Sequence, residues 1–321
     1  MVQSYHFRKP MKKVGWWHFE LSVPKDWDIV AQGQSRDVEI FRLADSFSAR
    51  LEVSLEKTPF EKAKGVDELL EAFRKNWEKR LGELKKKEGI EAELKHAFKE
   101  DIEVYGHRGA LWGFRVGGAL MIAAVWYCEK SERTISLTFT PRSPDEKDLF
   151  LAILKGSKCH FSTAAEKALW STLLFDIHLP PKYRLVAAKF TALSSYCVFE
   201  DPEVPEYLLV GYSGLASVVL DRYKKGIREW FEKSILKESM KSLRIEIPKL
   251  KYEKENDSMI TFKGETFSLL KSKKKMFIGK IWLDKKIDRI LTNGVYTSIN
   301  RREDAVKILE DLFGQMQKVS I

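Results

Sequence analysis

Two stretches of this 321-residue chain read alike at one fixed distance. Residues 19–30 are FELSVPKDWDIV and residues 175–186 are FDIHLPPKYRLV. Phe19, Pro24, Trp27 and Val30 thus stand 156 positions before Phe175, Pro180, Tyr183 and Val186. The same offset returns more than a hundred residues later, relating Trp126, Lys130, Glu132 and Arg133 to Trp282, Lys286, Asp288 and Arg289. Two anchors sharing one offset across a long gap predict two similar domains, each long enough for its own core. A border near Phe161 follows, giving repeats over 1–161 and 162–321, with residues 162–169 as the connection.

Within each repeat the hydrophobic period switches. Residues 16–23, 37–43 and 48–55 alternate apolar and polar, as half-buried strands do, and Asp45-Ser46 reads as a hairpin turn. Val66, Leu69, Leu70, Phe73, Trp77, Leu81 and Leu84 then recur every three or four residues, an amphipathic helix. Residues 91–98, 102–105, 110–116, 120–128 and 134–140 read as five strands with short links, hence an antiparallel meander. Ser143, Pro144 and Glu146 read as N-cap, N1 and N3 of a closing helix, with Phe150, Ile153 and Leu154 inward.

The second repeat follows the same order. Strands are expected at 173–179, 185–199 and 207–212, and a long helix at 218–243 with Leu220, Tyr223, Ile227, Trp230, Phe231 and Ile235 inward. Five more strand segments follow, at 243–252, 259–262, 266–270, 276–283 and 289–297. The closing helix is capped by Asn300 with Glu303 at N3, and Val306, Leu309, Leu312 and Phe313 form its apolar face. The fold class expected is α+β: two tandem similar domains, each an antiparallel sheet flanked by a long helix and a C-terminal helix.

The strand ending FELSVPKDW and the closing strand-plus-helix TISLTFTPRSPDEKDLFLAIL resemble the PsbP-like family, named for an extrinsic photosystem II subunit. The resemblance covers each repeat in outline. It implies an antiparallel sheet with helices packed on it and non-enzymatic binding roles, and it places no binding residue on this chain.

Composition excludes several classes. With 44% hydrophobic and 12% aromatic residues the chain can bury a core. Its 32% charged residues, mostly Lys and Glu, and its few cysteines are thermophile-like. Residues 1–13 hold no apolar leader segment, and the longest apolar run, 117–127, is far too short to span a bilayer. Cys128, Cys159 and Cys197 are an odd number without CxxC spacing, so no disulfide framework is expected. These features predict a soluble cytoplasmic protein with no membrane role.

Catalytic signatures are absent. Gly113, Gly117 and Gly118 lack both GxGxxG and a Walker lysine and read as a hairpin turn; residues 211–214 (GYSG) are not a nucleophile elbow. Cys159 and His160 are adjacent, and Cys128, His107 and His18 could approach them, but adjacent residues on a helix face apart and no pair has zinc-ligand spacing. Cys128 and Cys197 read as buried apolar residues. The tryptophans read as core, with Trp16 and Trp17 on opposite faces of a strand. No enzyme, metal or cofactor is implied.

Charge is the sharpest signal. The net charge is +10, and residues 222–289 hold 20 basic against 10 acidic residues, so the remainder is neutral. Lys233, Lys237, Lys241 and Arg244 recur at helical spacing as one stripe, extended by Lys224, Lys225 and Arg228; Lys271, Lys273, Lys274 and Lys275 crowd one turn. A basic arm over 1–14 adds to it. Such an array can neutralise phosphates without reading bases, since the lysine turn holds no aromatic residue. The favoured expectation is docking to structured RNA or a ribosomal surface. The alternatives are a protein–protein adaptor or homodimerising module, and a ligand-binding or enzymatic role in a cleft between repeats.

Overall fold

The computed structural model describes residues 10–318 apart from 36, 90, 164, 192, 257 and 268–273. The chain divides into two compact units, Met1–Leu173 and Leu174–Ile321. The border falls later than Phe161 because a short strand near residue 170 packs on the first strand of the chain.

The first unit runs β1 (Met11–Trp16), β2 (Phe19–Pro24), β3 (Asp28–Gln34), β4 (Val38–Ala44), β5 (Ala49–Lys57), α1 (Val66–Glu88), β6 (Leu94–Val104), β7 (His107–Val116), β8 (Ala119–Cys128), β9 (Arg133–Phe139), α2 (Lys147–Lys155) and β10 (Ala168–Ser171). The second runs β11 (Asp176–Leu179), β12 (Arg184–Phe190), β13 (Ser194–Asp201), β14 (Glu206–Ser213), α3 (Ala216–Leu220), α4 (Ile227–Trp230), a π-helical turn (Phe231–Leu236), α5 (Lys237–Leu243), β15 (Lys249–Asn256), β16 (Met259–Phe267), β17 (Lys274–Asp284), β18 (Arg289–Ser298) and α6 (Arg302–Met316). The protein is α+β. Each unit holds a seven-stranded antiparallel sheet, in order β3-β4-β5-β9-β8-β7-β6 and β12-β13-β14-β18-β17-β16-β15. No helix among the described residues is long and apolar enough to cross a membrane.

Local detail repeats at the offset of the sequence. A bulge separates Ile29 from Ala31 in β3 and Leu185 from Ala187 in β12. Ile122 faces Phe139, and Ile278 faces Val295. Glu132 and Asp288 close the next turns with φ of 49° and 51°. Beneath the β5 face, Arg50 is buried at 2% exposure, lies 5.5 Å from the Trp27 ring and pairs with Glu146 at 2.5 Å. At the matching place Glu206 is fully buried, accepts from the Tyr183 hydroxyl at 2.6 Å and pairs with Arg301 at 3.0 Å. The charges are exchanged, and the aromatic partner changes with them: a π face suits a guanidinium, a hydroxyl suits a carboxylate.

Several expectations change. Each meander has four strands, not five: Lys99-Glu100-Asp101 lies inside the exposed edge strand β6 rather than in a turn, and Lys263-Gly264-Glu265 lies inside β16, paired on both sides. Residues 185–199 are two strands joined by a turn in which Thr191 Oγ1 donates to the Ser194 carbonyl. The helix expected over 218–243 breaks at Asp221–Gly226, where Gly226 has φ 69°. Neither Ser143 nor Asn300 caps by its side chain; a single 3₁₀ turn precedes each closing helix, and Glu146 instead accepts from the Arg142 amide at 2.6 Å. Val306 is exposed. The end of the expected basic arm, residues 11–14, lies in β1, paired with β2, with Lys12 bonded to Asp28; residues 1–9 lie outside the described residues. Trp17 turns at φ 52°, so Trp16 and Trp17 do not flank a strand but both meet Trp170 edge-on, at 5.3 and 5.7 Å. The Gly117-Gly118 hairpin forms as the spacing predicts, both glycines at positive φ.

The second unit's helices pack on one sheet face through Trp230, Phe231, Ile235 and Met240 against Tyr196, Phe262, Phe277 and Ile281. Its other face carries α6, with Trp282 edge-on to Phe313 at 4.9 Å. In the first unit α2 packs Phe150 on Phe139 at 5.2 Å, while α1 meets Trp112 and Phe114 through Leu70, Phe73 and Trp77.

Candidate functional sites: a cationic sheet face and a cysteine–histidine cluster

The residues expected to form one cationic surface do not all meet. Strand alternation decides this. The face under α4 and α5 carries Leu250, Tyr252 and Phe262, so Lys249, Lys251 and Lys263 lie on the opposite, α6 side. Lys274 shares their pleat phase, and Lys280 on that side pairs with Glu310. Lys275 has the other phase; its ammonium lies 3.3 Å from the Pro205 carbonyl.

On the helical side the stripe is partly neutralised. Arg228 lies 4.2 Å over the Tyr252 ring and pairs with Glu232, and Lys233 pairs with Glu229 at 2.6 Å. That bond holds the Glu229 carboxyl below its ordinary range and raises the Lys233 ammonium. Lys233 sits in the π-helical turn, which shifts its phase against Lys237 and Lys241 on α5. Arg244 ends α5 at φ 56°, and Lys224 and Lys225 lie in the turn before α4. Lys271 and Lys273 lie outside the described residues.

Sequence reading missed what gathers on the α6 side. A surface cleft of about 430 Å³ has Met276, Ile278 and Ile299 as its floor and Lys249, Lys251, Lys263 and Arg302 around it. Among the described residues, Glu265 is the one acid in the lining. Lys251 and Lys263 are direct cross-strand partners, a like-charge pairing that costs stability. Lys263 is relieved by Glu253 at 2.9 Å. Arg302 opens α6, where the macrodipole disfavours a cation. Among the described side chains, no aromatic lines the cleft. Periodicity of two along β15 and β16 was the available signal, but it required the register between them.

A second, denser cluster lies in the first unit. His107, Cys128, Cys159 and His160 bring four ligand atoms within 4.8 Å of one another. Pairing of Gly109 with Trp126 sets the start of β7 beside the end of β8, hence His107 beside Cys128. After α2 the chain bonds back to β2, Glu20 and Lys158 exchanging backbone hydrogen bonds of 2.9 and 2.8 Å. That return carries Cys159 and His160 to the same sheet end. The His160 Nδ1 lies 3.4 Å from Cys128 Sγ, Cys159 Sγ and His107 Nε2 alike. Both thiols are buried and unbridged. The hydrogen bond between the two thiols lowers Cys128 and raises Cys159, so one of the pair ionises readily. Helical spacing would turn Cys159 and His160 apart, but both follow the end of α2, where the backbone need not turn adjacent residues away from each other.

No known protein family and no curated protein sequence matches the chain. Among solved structures it is similar to cyanobacterial PsbP from Synechocystis sp. PCC 6803, at 14% identity over 47% of this chain and 94% of that one, TM-score 0.34. A Pseudomonas aeruginosa protein of unknown function, PA94, a putative regulator, matches at 17% identity over 45% and 94% of the two chains, TM-score 0.23. A Bacteroides thetaiotaomicron protein matches at 13% identity, 47% and 49% coverage, TM-score 0.26.

Proposed function

We propose that this is a non-enzymatic binding protein made of two duplicated PsbP-like units, the second of which docks structured RNA on its α6-side sheet face. Duplication is supported by the shared strand order, the matched bulges and the exchanged Arg50–Glu146 and Glu206–Arg301 pairs. The observation that carries docking is the cross-strand pairing of Lys251 with Lys263 beside Lys249 and Arg302. Glu253 offsets part of that repulsion at Lys263, and a bound polyanion would relieve what remains at Lys249, Lys251 and Arg302. The second unit also departs from the first here. Val116 and Ala119 close a two-residue turn in the first unit. The corresponding pair, Thr266 and Lys275, leaves eight residues between them, three of them lysines. The described lining side chains, mostly cationic and aliphatic, suit phosphate contacts along a helix rather than stacking on splayed bases.

The test is binding of the full chain to a fluorescent double-helical RNA. Four phosphate contacts predict roughly a hundredfold loss of affinity between 50 and 200 mM salt. K251E/K263E should weaken binding at least tenfold, and K237E/K241E, on the helical side, less than twofold. Salt-independent binding, or equal loss in both variants, would exclude this face. A protein partner retained through nuclease and high salt would favour the adaptor reading instead.

A further inference from the structure

We propose that His107, Cys128, Cys159 and His160 bind one Zn²⁺ ion in a closed tetrahedral site that locks the end of the first unit's sheet to the segment following α2. The donor set is two sulfurs and two imidazole nitrogens, the composition of structural zinc sites. Zinc bonds of about 2.3 Å to sulfur and 2.0–2.1 Å to nitrogen make tetrahedron edges of roughly 3.5 Å for S···N and 3.3 Å for N···N. The separations here are 3.4 Å for both S···N pairs to His160 and 3.4 Å between the imidazoles. Three of the six donor-to-donor separations already stand at the spacing an ion would impose, and the other three lie within 4.8 Å.

Charge agrees. Two thiolates and two neutral imidazoles around a dication sum to zero, so the filled site can sit at this depth without an unpaired charge. All four protein positions are taken, which leaves no open position for substrate and marks the site as structural rather than catalytic. The Tyr105 ring packs on His160 at 4.7 Å, and its hydroxyl bonds Ser162 at 2.8 Å, which orients the imidazole from outside the donor set. At the same offset the second unit carries Asp284, Gln315 and Met316 opposite Cys128, Cys159 and His160. The cluster is therefore not a requirement of the shared fold. Three of its ligands come from far-separated stretches, so binding would staple β7, β8 and the return segment together and oppose unfolding of this unit.

Purified full-length protein, expressed with zinc supplied and kept reduced, should carry about one zinc per chain by elemental analysis. Replacement by Co²⁺ should give the intense d–d and sulfur-to-cobalt absorption of a tetrahedral thiolate site. Chelation should lower the unfolding transition of the first unit and leave that of the second. C128S and H107A should each lose the metal, while C197S, in the second unit, should keep it. If C128S fails to fold, cobalt titration of the unmodified chain still decides. Less than about a tenth of an equivalent of zinc together with no cobalt spectrum would overturn the proposal. So would a Cys128–Cys159 disulfide in protein purified without air, since a bridged pair cannot supply two thiolates.

Discussion

Replacing Arg301 by Met should destabilise the second unit by about 3 kcal/mol, since removing one partner of a buried ion pair strands the other. Glu206 has no exposed surface, and its carboxylate is held by the Tyr183 hydroxyl at 2.6 Å and Arg301 at 3.0 Å. The variant leaves that carboxylate one donor. Such losses run to roughly 3–5 kcal/mol. The Arg301 side chain is 28% exposed, so water already screens the pair and the low end applies. Deleting both charges is a different perturbation. E206M/R301M removes the stranded ion and leaves only the Tyr183 hydroxyl unpaired, at about 1–3 kcal/mol. Y183F/E206M/R301M removes that too and should regain most of the loss. The assay is urea unfolding followed by tryptophan fluorescence, with hydrogen exchange to assign each transition to its unit. At a slope of about 2 kcal/mol/M, R301M should lower the midpoint of the second unit by about 1.5 M. A shift below about 0.3 M, or a triple variant no more stable than R301M, would refute the claim that an uncompensated carboxylate dominates here.

Other consequences are more local. Gly279→Ala would set a Cβ 2.2 Å from both the Asn293 carbonyl oxygen and the Phe262 ring; a backbone atom cannot yield, so thermal denaturation should show a loss of about 2–3 kcal/mol. Gly118 turns at φ 88°; Gly118→Val should cost about 1–2 kcal/mol and Gly118→Asn clearly less, measured the same way. Glu39 is half-buried, and burial pushes its carboxyl up against the opposing pull of Arg133. A raised carboxyl favours the protonated folded form, so its contribution to stability falls as pH rises from the unfolded value through the raised one. Glu39→Gln should therefore gain on the parent in urea midpoints as pH rises above the ordinary carboxylate range; a constant difference would mean the carboxyl is not raised.

Much of the frame was legible before any coordinates. The offset between Trp27 and Tyr183, or Trp126 and Trp282, reappears as matched bulges and matched turns. The helical spacing of Leu69, Phe73, Trp77 and Leu81 gives α1, and the doubled glycine at 117–118 gives the hairpin. These are local effects, set by the backbone within a few residues. The errors are local signals that tertiary context overrides. Lys99-Glu100-Asp101 reads as a turn but belongs to an edge strand, where charge faces water on both sides. The pairs Arg50–Glu146 and Glu206–Arg301 look like mismatches when the two units are aligned at this offset; each joins partners nearly a hundred residues apart, which no local spacing reveals.

The sequence by itself determined that the chain is α+β with antiparallel strands, because hydrophobic period and turn chemistry are written within each segment. It also determined that the cationic excess belongs to residues 222–289, because charge can be counted without a structure. Only the tertiary structure decided how that charge is divided. The pleat and the β15–β16 register put Lys249, Lys251 and Lys263 on one side of the sheet and the α5 lysines on the other. It alone also brought His107 and Cys128 to Cys159 and His160. Register and the return of the chain after α2 are properties of paired strands, and no spacing along a single strand encodes them.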